Sequence, residues 1–312
     1  MKKYLIINVD DFGLCESVNK AVFELYENKK ISSATIMTTA PGFKTAAEWV
    51  VKNNIKDIGL HLTFTSEWDN FKYKSLTGGK SIDKNGYFPK SIDNCNYKDI
   101  NNEILEQYNK ATDSGIKLSH IDVHMYSIYG IVDKRLGLSG VIKLAKEKGH
   151  LPIRMCRYIY NDSGMIPNLY KRSKTDIFKL YSYLCDYNKI NIPDYVFAYP
   201  FDNEYKMKYE EMKNALSNLL LNLPYGVSEI HLHPAVEGED LKSFNKNWGR
   251  RVDEYRLLND KDIEKLIIDN DINLITYRDL KDIQDDKSKI IALKNIIGYS
   301  FKLPFKCLFN IW

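Results

Sequence analysis

The sequence predicts an α/β protein in which seven or eight mostly parallel strands close into a barrel. Three observations carry this expectation. Short apolar runs alternate with segments of helical period almost throughout the chain, the pattern of repeated βα units. The 312 residues are long for an ordinary domain but suit one barrel with loop insertions. Residues able to do chemistry fall at the carboxyl ends of the apolar runs, where parallel barrels place their sites.

Residues 4–9 form a near-continuous apolar run, as expected of a strand buried on both faces. Ser17 is placed to cap a helix whose Val18, Ala21, Val22, Leu25 and Tyr26 share one face. Strands over 33–39 and 58–63 flank a helix through 46–52. Residues 64–96 break the pattern. Gly78-Gly79 and Asn85-Gly86 signal turns, and so long a loop in a compact domain reads as an insertion acting as a substrate lid. Alternation resumes with a helix over 100–114, a strand over 118–124, a helix over 138–148 and a strand over 151–155. A helix at 176–187, strand at 195–199, helix at 204–221, strand at 227–233, helix at 260–269 and strand at 273–277 complete the series.

After Asp286 the character changes. Ile290, Ile291, Leu293, Ile296 and Ile297 suggest a short amphipathic helix, followed by Tyr299, Phe301, Phe305, Phe309 and Trp312. The bland reading is a terminal segment packed on the body or on a second subunit. The sharper one is a basic, aromatic contact with a membrane surface. The domain limits are therefore 1–285 for the barrel, with 64–96 inserted in it, and 286–312 for the tail.

With 44% hydrophobic and 28% charged residues the composition is globular. The net charge of +4 is owed to Lys287, Lys289, Lys294, Lys302 and Lys306 in the tail, and without them the chain is about neutral. A nucleic-acid binder would carry a basic stripe on its body, so no nucleic-acid partner is expected. Cys15, Cys95, Cys156, Cys185 and Cys307 are scattered, odd in number and without C-x-x-C spacing, which points to free thiols. The apolar run after Met1-Lys2-Lys3 stops at Asp10-Asp11, too short for a secretory signal, and no stretch is long enough to span a bilayer. The cytoplasm is the expected location.

Asp10 and Asp11 follow the first strand, with Gly13 supplying a turn just beyond. His61 lies at the end of the third. His120, Asp122 and His124 alternate along the fourth, which predicts one common face. Arg154 ends the next strand, and His231 and His233 alternate on a later one. Singly, each has an ordinary reading: an acid pair as a turn or cap, a strand histidine as a hydrogen-bonded core residue, Arg154 as an ion-pair partner, His150 as a loop residue. Jointly, one carboxylate and two imidazoles make a facial triad with open coordination positions. Hydrolysis of an amide at such a site needs a base for water and an acid for the leaving nitrogen. Adjacent Asp side chains cannot both take one direction, so one can ligate while the other acts as base. His233 can approach from the opposite side as acid, and Asp122 can orient a neighbouring imidazole.

The blocks Asn8-Val9-Asp10-Asp11-Phe12-Gly13-Leu14, Gly59-Leu60-His61-Leu62, His120-Ile121-Asp122-Val123-His124 and Leu232-His233-Pro234 resemble those of the YdjC/ChbG-like carbohydrate deacetylases. The resemblance extends to Arg154 in Pro152-Ile153-Arg154 and to Thr276-Tyr277-Arg278-Asp279-Leu280, about residues 4–283 in order. It implies a deformed barrel of the deacetylase type and divalent-metal hydrolysis of N-acetyl groups on amino-sugar oligosaccharides of chitin type. It also implies a homodimer. By residue it implies Asp10 as base, Asp11, His61 and His124 as metal ligands, His233 as acid, and Arg154 as the residue that positions or tunes the base. The metal is Mg2+ by resemblance, whereas two imidazoles suit Zn2+. Family members carry further histidines after the last ligand, where this chain has Met125, Tyr126, Ser127 and Ile128. Two rival readings follow: a metal hydrolase of another amide or a phosphoester, and a degenerate, non-catalytic saccharide-binding protein.

Overall fold

The computed structural model describes residues 2–130, 137–158, 175–199 and 207–284. Seven strands run in chain order as β1 (Lys3–Phe12), β2 (Ser33–Ile36), β3 (Ile58–Leu62), β4 (Ile121–Val123), β5 (Tyr195–Phe197), β6 (Gly226–Leu232) and β7 (Ile272–Leu274). Between and after them lie α1 (Glu16–Glu27), α2 (Phe43–Lys52), α3 (Tyr97–Asp113), α4 (Leu138–Glu147), α5 (Thr175–Tyr187), α6 (Tyr209–Leu221), α7 (Glu239–Lys242), α8 (Trp248–Leu258), α9 (Lys261–Asp269) and α10 (Leu280–Ile283). The sheet order is β4-β3-β2-β1-β6-β5, and every pairing between these strands is parallel.

Strand β1 is the spine. Along one edge it pairs with β6 from Lys3↔Gly226 to Val9↔Leu232. Its other edge is divided: β7 takes Lys3 to Leu5, and β2 takes Asn8 onward. Leu5, Ile6 and Val9 are wholly buried, as a strand covered on both faces requires.

The sheet curls, and residues 152–154 link its two edges. On one side the Ile121 N–H donates to the Pro152 carbonyl and the Arg154 N–H to that of Ile121; on the other the Ile153 N–H donates to Asn191. The expected strand over 151–155 is thus reduced to one bridge, Ile121↔Ile153. Pro152, lacking an N–H, cannot donate to a longer ladder.

Other boundaries also differ from expectation. Strand β1 runs three residues further and carries Asp10 and Asp11 within it. Ser17 is not a cap: α1 starts at Glu16 with Cys15 before it, and the Ser17 hydroxyl bonds Asp240. Helix α8 has no counterpart in the sequence reading. The expected helix over 204–221 is described from Tyr209. The tail over 286–312 and Cys307 lie outside the described residues, and the four described cysteines are thiols. No helix among the described residues is long and apolar enough to cross a membrane.

Residues 64–96 pack into the main core through Phe64, Tyr73, Ile82, Phe88 and Ile92. Two acids of α3 hold the segment down. The buried Glu103 carboxylate accepts from Ser75 Oγ, the N–H groups of Leu76 and Thr77, and Thr77 Oγ1 at 2.8–3.0 Å. Asp99 accepts from the backbone and hydroxyl of Ser81.

Candidate metal centre

The end of β1 is bent. Its register against β2 shifts between Val9 and Phe12, and Asp11 sits in the left-handed region at φ 62°. A side chain there is strained, a cost that persists where surrounding contacts hold it, often at functional sites. The turn closes with the Leu14 N–H on the Asp11 carbonyl at 2.9 Å, across Gly13 at φ 94°. The kink sends the two neighbouring carboxylates to different partners, as the sequence led us to expect.

Asp11 meets two imidazoles. Its Oδ1 lies 3.1 Å from His124 Nδ1 and 3.3 Å from His61 Nε2, and the two nitrogens are 3.3 Å apart. Ligand bonds of about 2.1 Å put neighbouring donor atoms about 3.0 Å apart at right angles and about 3.4 Å apart at tetrahedral angles. The observed triangle falls between these values. All three residues are at most 4% exposed. The donor set therefore fits one divalent cation in size and in chemistry.

Each corner of the triangle is held from behind. Asp122 Oδ1 binds His61 Nδ1 at 2.6 Å, leaving Nε2 to face inward. Glu67 Oε2 lies 3.2 Å from His124 Nε2. Arg251 Nη2, from α8, donates to Asp11 Oδ2 at 2.5 Å. Burial pushes both imidazoles toward the neutral form, but the carboxylates outweigh it. Asp122 and Asp10 bring His61 up to about 10, and Glu67 and Asp11 bring His124 up to about 9. Burial pushes the Asp11 carboxyl up, and Arg251 with the two histidines overcomes this and holds it well below its ordinary range.

Asp10 instead joins a buried cluster around Arg154. The guanidinium gives two bonds of 2.6 Å to Asp10, one of 2.7 Å to Asp122 and one of 2.8 Å to Glu229. Arg154 is 2% exposed, so it is far more than a surface ion-pair partner. Burial raises the Asp10 carboxyl, but Arg154, His61 and His231 win and lower it strongly. Burial lifts Glu229 to about 7 against the pull of Arg154 and of the Tyr277 hydroxyl, which donates to it at 2.5 Å. His233 follows β6 with its Nε2 3.8 Å from Asp10 Oδ2 and its Nδ1 3.8 Å from Glu254.

His120, Asp122 and His124 meet different partners. The strand ends at Val123, and His124 opens a 3-10 turn in which Met125 has φ 55°. His120 stacks flat on Tyr277, ring centres 3.8 Å apart, under Gly59, where any Cβ would strike the imidazole at 2.5 Å. His231 meets the Tyr126 hydroxyl at 3.1 Å. His150 is exposed and bonds the Asn188 carbonyl, as a loop residue would.

Sequence reasoning missed three residues of the site. Glu67 lies in a segment without periodicity. Arg251 lies on α8, whose buried Arg251 and Glu254 erase the usual apolar stripe. Glu229 is a lone acid in an apolar strand, and that anomaly was its available signal.

A curled parallel α/β sheet with a carboxylate–imidazole cluster at the carboxyl ends of its strands defines a class, the barrel-type α/β proteins with their polar site at the mouth. The chain belongs to the YdjC-like protein family, whose model matches residues 4–269. It is 30% identical over 285 residues to a protein of Thermoanaerobacter pseudethanolicus named carbohydrate deacetylase, covering 89% of this chain and all of that one. A Listeria monocytogenes protein of the same name is 25% identical over 88% of this chain and 99% of its own. A solved structure from Enterococcus faecalis V583, described as a candidate cellobiose-phosphate cleavage protein, superposes with a TM-score of 0.69 at 25% identity. It covers 90% of this chain and 99% of that one.

Proposed function

We propose that the protein is a metal-dependent carbohydrate deacetylase that removes N-acetyl groups from amino-sugar oligosaccharides. The observation that carries the reading is the triangle of Asp11, His61 and His124 atoms with edges of 3.1–3.3 Å, in a chain whose full-length relatives are named carbohydrate deacetylase. In this reading those three residues hold one divalent ion, Mg2+ or Zn2+. When bound, the ion supplies Lewis acidity toward a carbonyl oxygen and toward water.

The remaining roles fall to side chains next to the triangle. Asp10 accepts the proton that water gives up as its oxygen bonds the acetyl carbon. Arg154 keeps Asp10 ionised and fixed in orientation, at the cost of basicity. His233 Nε2 gives a proton to the sugar nitrogen as the C–N bond breaks, yielding acetate and a free amine. Retention of an acid–base pair beside the triangle supports catalysis over mere saccharide binding. The barrel over 1–285 carries all of this, 64–96 bounds its mouth as a lid, and 286–312 is an appended segment. A cytoplasmic homodimer completes the proposal.

The test is acetate release from di-N-acetylchitobiose by the metal-loaded protein. Chelation should abolish turnover, and Mg2+ or Zn2+ should restore it. Turnover that persists in full after chelation sinks the proposal, and so does saccharide binding by calorimetry without turnover at saturating metal.

A further inference from the structure

The geometry points to Glu67 as a positioning residue of the cation site, and through it to 64–96 as a structural part of that site. This rests on the reading of Asp11, His61 and His124 as ligands.

An imidazole has two ring nitrogens that can take a cation, and His124 opens the turn just beyond β4. The surroundings decide. Nδ1 faces Asp11 Oδ1 at 3.1 Å and His61 Nε2 at 3.3 Å, while Nε2 faces Glu67 Oε2 at 3.2 Å. A carboxylate on Nε2 holds a proton there and turns Nδ1 toward the triangle as the nitrogen that would take a cation. Asp122 does the same for His61 with the nitrogens reversed, accepting from Nδ1 and leaving Nε2 inward.

Glu67 is itself held in place. Its Oε1 accepts from the Tyr73 hydroxyl at 3.1 Å. Tyr73 is fully buried, and its ring packs edge-on against His124 with centroids 5.8 Å apart. The Tyr73 N–H donates to Ser66 Oγ, and its carbonyl accepts from Phe88. One tyrosine thus braces both the imidazole and the carboxylate that orients it. All of these groups except His124 come from 64–96, so the segment supplies a wall of the cation site as well as covering it. Loss of such an orienting partner lowers metal affinity about 10–100-fold.

The test is calorimetric Zn2+ binding to the full chain, together with 15N-histidine spectra of the Zn2+-loaded protein, which carries only six histidines. Four proteins are compared: wild type, Asp11→Ala, Glu67→Ala and Glu67→Gln. Wild type should bind one ion tightly and Asp11→Ala should not. Glu67→Ala should bind about 10–100-fold more weakly, with the His124 resonances losing the pattern of a metallated Nδ1 and a protonated Nε2. Glu67→Gln keeps an acceptor oxygen and should recover part of the affinity and the Nδ1 pattern. It also serves if Glu67→Ala does not fold. Equal affinity in wild type and both Glu67 variants overturns the role of Glu67 while leaving the ligand assignment standing. Weaker binding with an unchanged His124 pattern overturns it too, because it marks general loosening. Wild type binding no better than Asp11→Ala removes the ligand assignment itself, and Glu67 falls with it.

Discussion

Two clusters at the mouth of the sheet have the right residues for a cation, and they differ in what already fills them. Asp10, His61 and Asp122 come close enough to share an ion, as Asp11, His61 and His124 do. The first set already holds a positive group. Arg154 occupies both oxygens of Asp10 and one of Asp122 at 2.6–2.7 Å. In the second, Arg251 reaches only the outer Asp11 oxygen, Oδ2, and the inner faces of three donors are turned toward each other. Ligand chemistry alone would not separate the two sets. The position of the guanidinium does: Arg154 lies among the donors of the first set, whereas Arg251 stands behind the second. His61 belongs to both and joins them through Asp122.

The strongest way to break this comparison is at the carboxylate of the open set. Asp11→Ala should eliminate tight divalent binding and lower kcat/KM for deacetylation by at least about 10³-fold, since a lost Lewis acid removes several kcal/mol of stabilisation of the reacting oxygen. Calorimetry and acetate release check both. If Asp11→Ala still binds one ion as tightly as wild type, the ion sits in the other set and the two clusters have been assigned the wrong way round.

The next largest effect lies in the filled set. Arg154→Ala leaves Asp10, Asp122 and Glu229 buried without their shared cation, and breaking such an arrangement costs about 3–5 kcal/mol of stability. It also vacates the position beside Asp10, His61 and Asp122. Divalent ions should therefore restore part of the lost stability in the variant, with a second ion bound at millimolar concentration. Denaturant melts with and without Mn2+ measure this. Equal destabilisation with and without the ion would show that the guanidinium does not stand in a cation position.

The filled and open sets were unequally legible in the sequence. Asp10, Asp11, His61 and His124 stood at the ends of apolar runs, and the topology brings those ends together because every strand is parallel. Arg154 was visible on the same ground, although the strand expected to carry it is a single bridge. Of the residues that hold these groups in place, Asp122 was visible beside His120 and His124 and bonds His61 as expected, but the others were not. Glu67 and Tyr73 lie in a segment fixed by side-chain bonds to Glu103 and Asp99, which leave no period. Arg251 lies on a helix that buries Arg251 and Glu254 as well as Leu257 and Leu258, because part of it faces Asp11 and His233. Alternation located His120, Asp122 and His124, but a strand pattern carries no signal of the left-handed turn that follows His124. Periodicity reports burial against apolar neighbours, and an outer layer of polar partners is invisible to it.

The smallest effect is one of pH. Three carboxyls share one guanidinium, and burial lifts one of them, Glu229, to about 7. Its folded value lies above the 4.5 of an ordinary glutamate, so the folded state binds the extra proton between those two pH values. Its contribution is then most favourable below about 4.5 and is lost as pH rises through about 7. Glu229→Gln carries a permanent neutral mimic of the protonated form. Relative to this variant, wild type should lose about 1–3 kcal/mol of stability between pH 5 and 8, read from urea denaturation at both values. A difference that stays constant with pH would mean that Glu229 is ionised throughout, with Arg154 neutralising it as fully as it does Asp10. The filled set would then hold three full negative charges around one positive one, and its contrast with the open set would disappear.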